Sequence, residues 1–164
     1  MANISLENKK ILIVDDEPDV LESLEELLSM STTVRAQSFE EANRLLETQT
    51  FDIAILDIMG VDGYQLLETA KQMKVVAVML TAHAFSPDNI NKSYLAGASY
   101  FIPKEKIIDI ESFLIDVLTA KKAGKNTWVK WYETLASFCE KKFGHDWEKD
   151  GKHKSNPIFK IPLP

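Results

Sequence analysis

Four times in the first 104 residues, a short apolar run stops at a residue able to do chemistry. Ile11-Leu12-Ile13-Val14 stops at Asp15-Asp16, and Ile53-Ala54-Ile55-Leu56 stops at Asp57. The run from Val75 to Leu80 stops at Thr81, and Ser99 to Ile102 stops at Pro103-Lys104. Unbroken apolar runs of this length are expected of strands covered on both faces. Thr33 to Gln37 reads as a weaker strand. Helix-period segments lie between the strands. Pro18 suits a first helical turn, with Leu21, Leu24, Leu27 and Leu28 on the buried face. Ser38 with Glu41 forms a capping box before a helix that buries Ala42, Leu45 and Leu46. Gly63 to Met73 reads as a short helix, Ser86-Pro87 opens another that stops at Gly97, and a last one runs from about Ile108 to Lys121. Strand and helix thus alternate five times. That pattern predicts an α/β fold, a doubly wound parallel sheet with helices on both faces.

In such sheets a ligand binds beyond the carboxyl ends of the strands. The residues predicted there are Asp15, Asp16, Asp57, Thr81 and Lys104. Carboxylates gathered in one crevice repel one another by about 4 kcal/mol per pair at ~4 Å and an effective dielectric near 20. A hard cation relieves this repulsion, and Mg²⁺ takes a few carboxylates while keeping waters and phosphate oxygens as its other ligands. An aspartate can itself accept a phosphoryl group. Transfer to it needs positioning and charge neutralisation, which Mg²⁺, the Lys104 ammonium and the Thr81 hydroxyl would supply from three sides. Taken singly, each residue has an ordinary explanation as a cap, a turn residue or a solvated lysine. Their joint placement at strand ends carries the reading.

The segments ILIVDDEPDV, FDIAILDIMGVDGYQLL, VVAVMLTAHA and AGASYFIPK resemble the receiver domain of bacterial two-component response regulators. The resemblance covers about residues 8–120. It implies a flavodoxin-like, CheY-like sheet of five strands in the order 2-1-3-4-5, with residues 1–122 as the receiver domain. It also implies phosphorylation at Asp57, with Mg²⁺ held by Asp15, Asp16, Asp57 and the backbone carbonyl of Met59. Thr81 would be the switch hydroxyl, Phe101 the switch aromatic and Lys104 the phosphate-binding lysine. His83 and Met59 occupy positions that tune aspartyl-phosphate lifetime in the family; an exposed loop histidine is the plainer reading of His83. The phosphoryl donor would be a sensor histidine kinase or a phosphotransfer protein. Two features depart from the family's pattern. The loop from Asp57 to Gly63 is shorter than usual and has no proline, leaving Gly60 to supply a turn. Pro103 precedes Lys104, where the family usually has a proline after its lysine, and Lys106 is a second candidate for the lysine's role.

Composition separates the chain into two parts. Residues 1–120 carry 9 Lys/Arg against 20 Asp/Glu, whereas residues 121–164 carry 10 Lys against 5 Asp/Glu. An acidic body is followed by a basic tail, residues 123–164, predicted to form a tryptophan-containing helix and an arm. Trp128, Trp131, Tyr132, Leu135, Phe138, Cys139 and Phe143 follow helical spacing, and Pro157, Pro162 and Pro164 bound the arm. One helix and an arm are too small to fold alone. The apolar stripe is therefore expected to dock on the body, on a second copy or other protein, or, least favoured, on single-stranded nucleic acid. No helix-turn-helix follows, so the output is expected to be a protein contact without a DNA-binding domain, its partner unnamed by the sequence. The N-terminal segment lacks a signal-peptide core and no run reaches membrane-span length, so the reading is cytoplasmic with no membrane partner. One cysteine forms no internal disulfide, and His145 and His153 with Cys139 lack metal-ligand spacing. The rival class is an enzyme, a Mg²⁺-dependent phosphohydrolase with an aspartate nucleophile. Such enzymes need a second aspartate two residues on, where this chain has Met59. The chain is read as a phosphoacceptor and not an enzyme.

Overall fold

A computed structural model describes residues 4–149 of the chain. The proline-bounded arm and His153 lie outside the described residues. The chain runs β1 (Lys10–Val14), α1 (Pro18–Leu27), β2 (Thr32–Ala36), α2 (Phe39–Thr48), β3 (Ile53–Asp57), α3 (Gly63–Gln72), β4 (Val76–Thr81), α4 (Pro87–Leu95), β5 (Tyr100–Pro103), α5 (Ile110–Lys122) and α6 (Thr127–Phe143). A 3-10 segment, Lys104–Asp109, joins β5 to α5, and a shorter one, Trp147–Lys149, follows α6. The last body helix therefore starts two residues later than the sequence pattern indicates, because the chain first makes this tighter turn.

All four strand pairings are parallel, in the order β2-β1-β3-β4-β5, which is the flavodoxin-like order expected. The central strands β1, β3 and β4 are apolar because helices cover both their faces: Ile11 to Val14 and Ile53 to Leu56 are buried throughout. The register sets the strand ends level. Val14 pairs with Leu56, Asp57 with Leu80, and Thr81 with Pro103. The residues that follow these apolar runs are thereby gathered at one edge of the sheet.

Local chemistry sets the helix starts. Ser38 Oγ accepts from the Glu41 amide at 3.2 Å, and Ser86 Oγ from the Asn89 amide at 3.2 Å. Asn126 Oδ1 accepts from the Trp128 amide at 2.8 Å and opens α6. Gly144, at φ +100°, takes the chain out of that helix in a conformation that favours glycine.

Of the three destinations for the tail stripe, the structure shows the body. Trp128, Trp131, Leu135 and Cys139 are buried, and α6 packs against α5 and β5. Trp128 Nε1 donates to the Ala98 carbonyl at 2.8 Å, and Trp131 Nε1 to the Phe101 carbonyl at 2.7 Å. β5 is an end strand, and an uncovered edge would offer unpaired backbone groups to another chain. The Trp131 indole satisfies one carbonyl of that strand, and the Trp128 indole one just before it. The same burial removes both rings from any base-stacking surface.

Candidate functional site: an acidic cleft at the strand ends

Asp57 closes β3 and is 3% exposed, while Asp15, directly after β1, is fully buried. Asp16 and Glu17 are exposed at the rim. Lys104 stands between these carboxylates. Its Nζ lies 2.8 Å from Asp15 Oδ2, 3.1 Å from Glu17 Oε1 and 3.7 Å from Asp57 Oδ1. Asp15 Oδ1 also accepts from the Glu17 amide at 2.9 Å, which fixes the carboxylate against the start of α1. Thr81 is buried, and its Oγ1 accepts from the Ala84 amide at 3.0 Å.

Asp16, Glu17, Asp57, Thr81 and Lys104 line a cleft of about 160 Å³ together with Met59, Gly60, Ala82 and His83. The exposed His83 and Met59 form its rim, Met59 at 58% exposure. Phe101 is fully buried behind the site, with its ring centroid 5.6 Å from that of Phe85. Lys106 is not in the cleft: its Nζ sits 5.1 Å from the centre of the Phe138 ring. Of the two lysines, Lys104 is the one placed among the cleft's carboxylates.

Burial and crowding set the electrostatics. Asp57 has its pKa pushed up to about 7, first by burial, then by Asp15, with Lys104 opposing. Burial also raises Asp15, against the Lys104 hydrogen bond. Burial acts against the Lys104 ammonium, but contacts with Asp15, Glu17 and Asp57 outweigh it and raise its pKa. A buried acidic pair sharing one lysine is under-neutralised, and a further cation suits it.

The short loop after β3 is built on two glycines. Gly60 has φ +84°, and a Cβ there would stand 2.4 Å from Asp16 Oδ2. A Cβ on Gly63 would stand 2.1 Å from the Asp57 carbonyl oxygen. The loop therefore packs backbone against both carboxylate-bearing segments, and this close approach makes its shortness workable.

Glu17 is the functional candidate missed in the sequence. It reads as a helix-start acid before Pro18, yet its carboxylate groups with Asp15 and Asp16, the three oxygen ligands lying within 4.8 Å of one another. The consecutive acids Asp15-Asp16-Glu17 were the available signal.

Residues 11–113 match the response regulator receiver domain family. The chain belongs to that family. Its receiver fold is shared with the crystal structure of a CheY-like response regulator receiver domain protein from Methanospirillum hungatei JF-1, 29% identical at a TM-score of 0.62, covering 71% of this chain and 98% of that one. Among curated proteins, the ycf27 protein of Guillardia theta, named for transcriptional regulation, is 41% identical over 113 residues. That match covers 63% of this chain and 44% of the relative. The heme response regulator HssR of Staphylococcus aureus (strain Newman) is 35% identical over 98 residues, 57% of this chain and 43% of the relative. The receiver chain thus spans less than half the length of these two curated relatives. Among the described residues, no helix is long and apolar enough to cross a membrane.

Proposed function

We propose that this receiver accepts one phosphoryl group on Asp57 from a phosphohistidine of a sensor kinase or phosphotransfer protein. The observation that carries the reading is the placement of a buried Asp57 carboxylate within reach of Lys104 Nζ at the mouth of an acidic cleft that also holds Thr81. An Asp57 carboxylate oxygen forms the new bond to phosphorus as the bond between phosphorus and the donor's nitrogen breaks. The nitrogen keeps the electron pair and, with the ring's other nitrogen protonated, leaves as a neutral imidazole. Lys104 and the Thr81 hydroxyl orient the phosphoryl oxygens and meet their charge.

The donor set fits Mg²⁺. It is all-oxygen, it is clustered within 4.8 Å at Asp15, Asp16 and Glu17, and two of its three members face solvent, which leaves room for retained waters. Asp15, Asp16 and Asp57, with the Met59 carbonyl, would hold the ion, and Glu17 joins them as a candidate. Bound there, Mg²⁺ supplies charge neutralisation for the transferring phosphoryl group. His83 and Met59, at the rim, set water access to the product and hence its lifetime. The phosphorylated form then signals through protein contacts, and the chain acts as a stoichiometric acceptor in place of a turnover catalyst.

A burst assay with acetyl phosphate and Mg²⁺ tests this. The expected result is about one equivalent of phosphoryl group per chain, strongly reduced in Lys104→Ala, with no turnover of a generic phosphate monoester. Sustained turnover of the monoester would assign the cleft to a phosphohydrolase instead.

A further inference from the structure

Helix α6 is gripped by the two segments that leave the candidate site. The first is the β4–α4 connection. Thr81 ends β4, its hydroxyl holds the Ala84 amide, and the next residue, Phe85, is buried among aromatic rings. Its ring centroid lies 5.5 Å from Phe138 and 5.1 Å from Phe143, both on α6, and 5.6 Å from Phe101 on β5. The second is the 3-10 segment that begins at Lys104. Glu105 pairs with Lys142 at 2.6 Å, and Lys106 lies over the Phe138 ring at 5.1 Å.

The two halves of α6 are held differently. The first half is anchored by buried indole N–H donors to the Ala98 and Phe101 carbonyls and by the edge-on contact of Tyr94 with Trp128, ring centroids 5.6 Å apart. The second half leans on Phe85 and on the segment after Lys104. Of its contacts there, the Glu105–Lys142 pair is half-exposed and contributes little on its own.

We propose that α6 is a phosphorylation-gated latch, whose C-terminal half is freed when Thr81 and Lys104 are drawn onto a phosphoryl group at Asp57. The inference rests on the acceptor reading above. A hydroxyl turned toward Asp57 leaves the Ala84 amide and shifts Phe85. A lysine drawn the same way moves the Glu105 and Lys106 contacts. Both grips on residues 135–143 then loosen together, while the tryptophan anchor keeps the helix attached. A helix segment without its packing surface frays in water, so its amides and the buried Cys139 become accessible.

The test uses the full chain with acetyl phosphate and Mg²⁺, acetate leaving as the phosphoryl group transfers. Intact mass gives the phosphorylated fraction of each sample, and hydrogen exchange by mass spectrometry follows residues 135–143. The expected result is about tenfold faster exchange there on phosphorylation, with faster labelling of Cys139 by a thiol reagent and unchanged exchange in α2. Asp57→Asn given the same reagents is expected to show neither change. Phe85→Leu keeps the phosphoryl gain and shows fast exchange before phosphorylation. Phosphorylated protein with unchanged exchange over residues 135–143 overturns the latch and leaves the acceptor reading standing. Absence of a phosphoryl gain overturns both. Acceleration in Asp57→Asn assigns the effect to the reagents and also overturns the latch.

Discussion

Asp57 is an anion where the protein disfavours one, and its energetics follow from that. Its folded pKa is raised from the ordinary 3.8 to about 7. In the metal-free protein the folded state therefore holds a proton that the unfolded chain has released. The associated stability is fully present below about pH 4 and is lost as pH rises through about 7. Asp57→Asn removes that pH dependence. Urea unfolding with chelator present is expected to show the variant more stable than wild type by about 4 kcal/mol at pH 8 and nearly equal at pH 4. Gly63 presents the opposite case, a residue with no room for one more carbon beside the Asp57 carbonyl. Gly63→Ala is expected to lower stability by about 1–3 kcal/mol in the same unfolding assay and to slow phosphorylation. Asp15, Asp57, Thr81 and Lys104 were legible in the sequence because each directly follows or ends an apolar run in a fold whose register sets the ends level. Glu17 and Phe85 were not. Glu17 is drawn in by Lys104 and Phe85 by two rings of α6, and neither long-range partner leaves a periodic mark beside it.

At the scale of elements, the helix starts at Ser38 and Ser86 were readable because a cap is local chemistry. Strand bounds moved by about a residue because cross-strand pairing, not side-chain type, decides where a ladder ends. The 3-10 segment at Lys104–Asp109 was unreadable, since its residues also suit the opening of α5. The β5–α6 contact shows what a single element adds. Trp131 is fully buried and spends its one donor on the β5 backbone. Trp131→Phe keeps an aromatic ring, leaves the Phe101 carbonyl without that donor and opens a small void. Thermal and urea melts are expected to place the cost at about 1–3 kcal/mol, with little change in the chemistry of the cleft.

The whole molecule is an acidic receiver fold carrying a basic helix against its end strand. Charge asymmetry pointed to two parts, and the stripe of tryptophans pointed to docking, but a one-dimensional pattern could not choose among three docking partners. The choice depends on the carbonyls of Ala98 and Phe101 and on rings of α4 and the β4–α4 connection, which only the folded chain brings together. Removal of residues 123–164 uncovers the β5 edge and the ring of Phe85. The shortened chain is expected to melt lower and to self-associate on size exclusion, whereas a monomer of unchanged stability would show that α6 covers nothing of consequence. The proposed function turns on chemistry at the Asp57 carboxylate. Intact mass after incubation with acetyl phosphate, with and without Mg²⁺, tests it most directly on wild type and Asp57→Asn. A gain of one phosphoryl group is expected in the wild type with Mg²⁺, and no gain in the other three samples. An equal gain in Asp57→Asn, or none in the wild type with Mg²⁺, would contradict it.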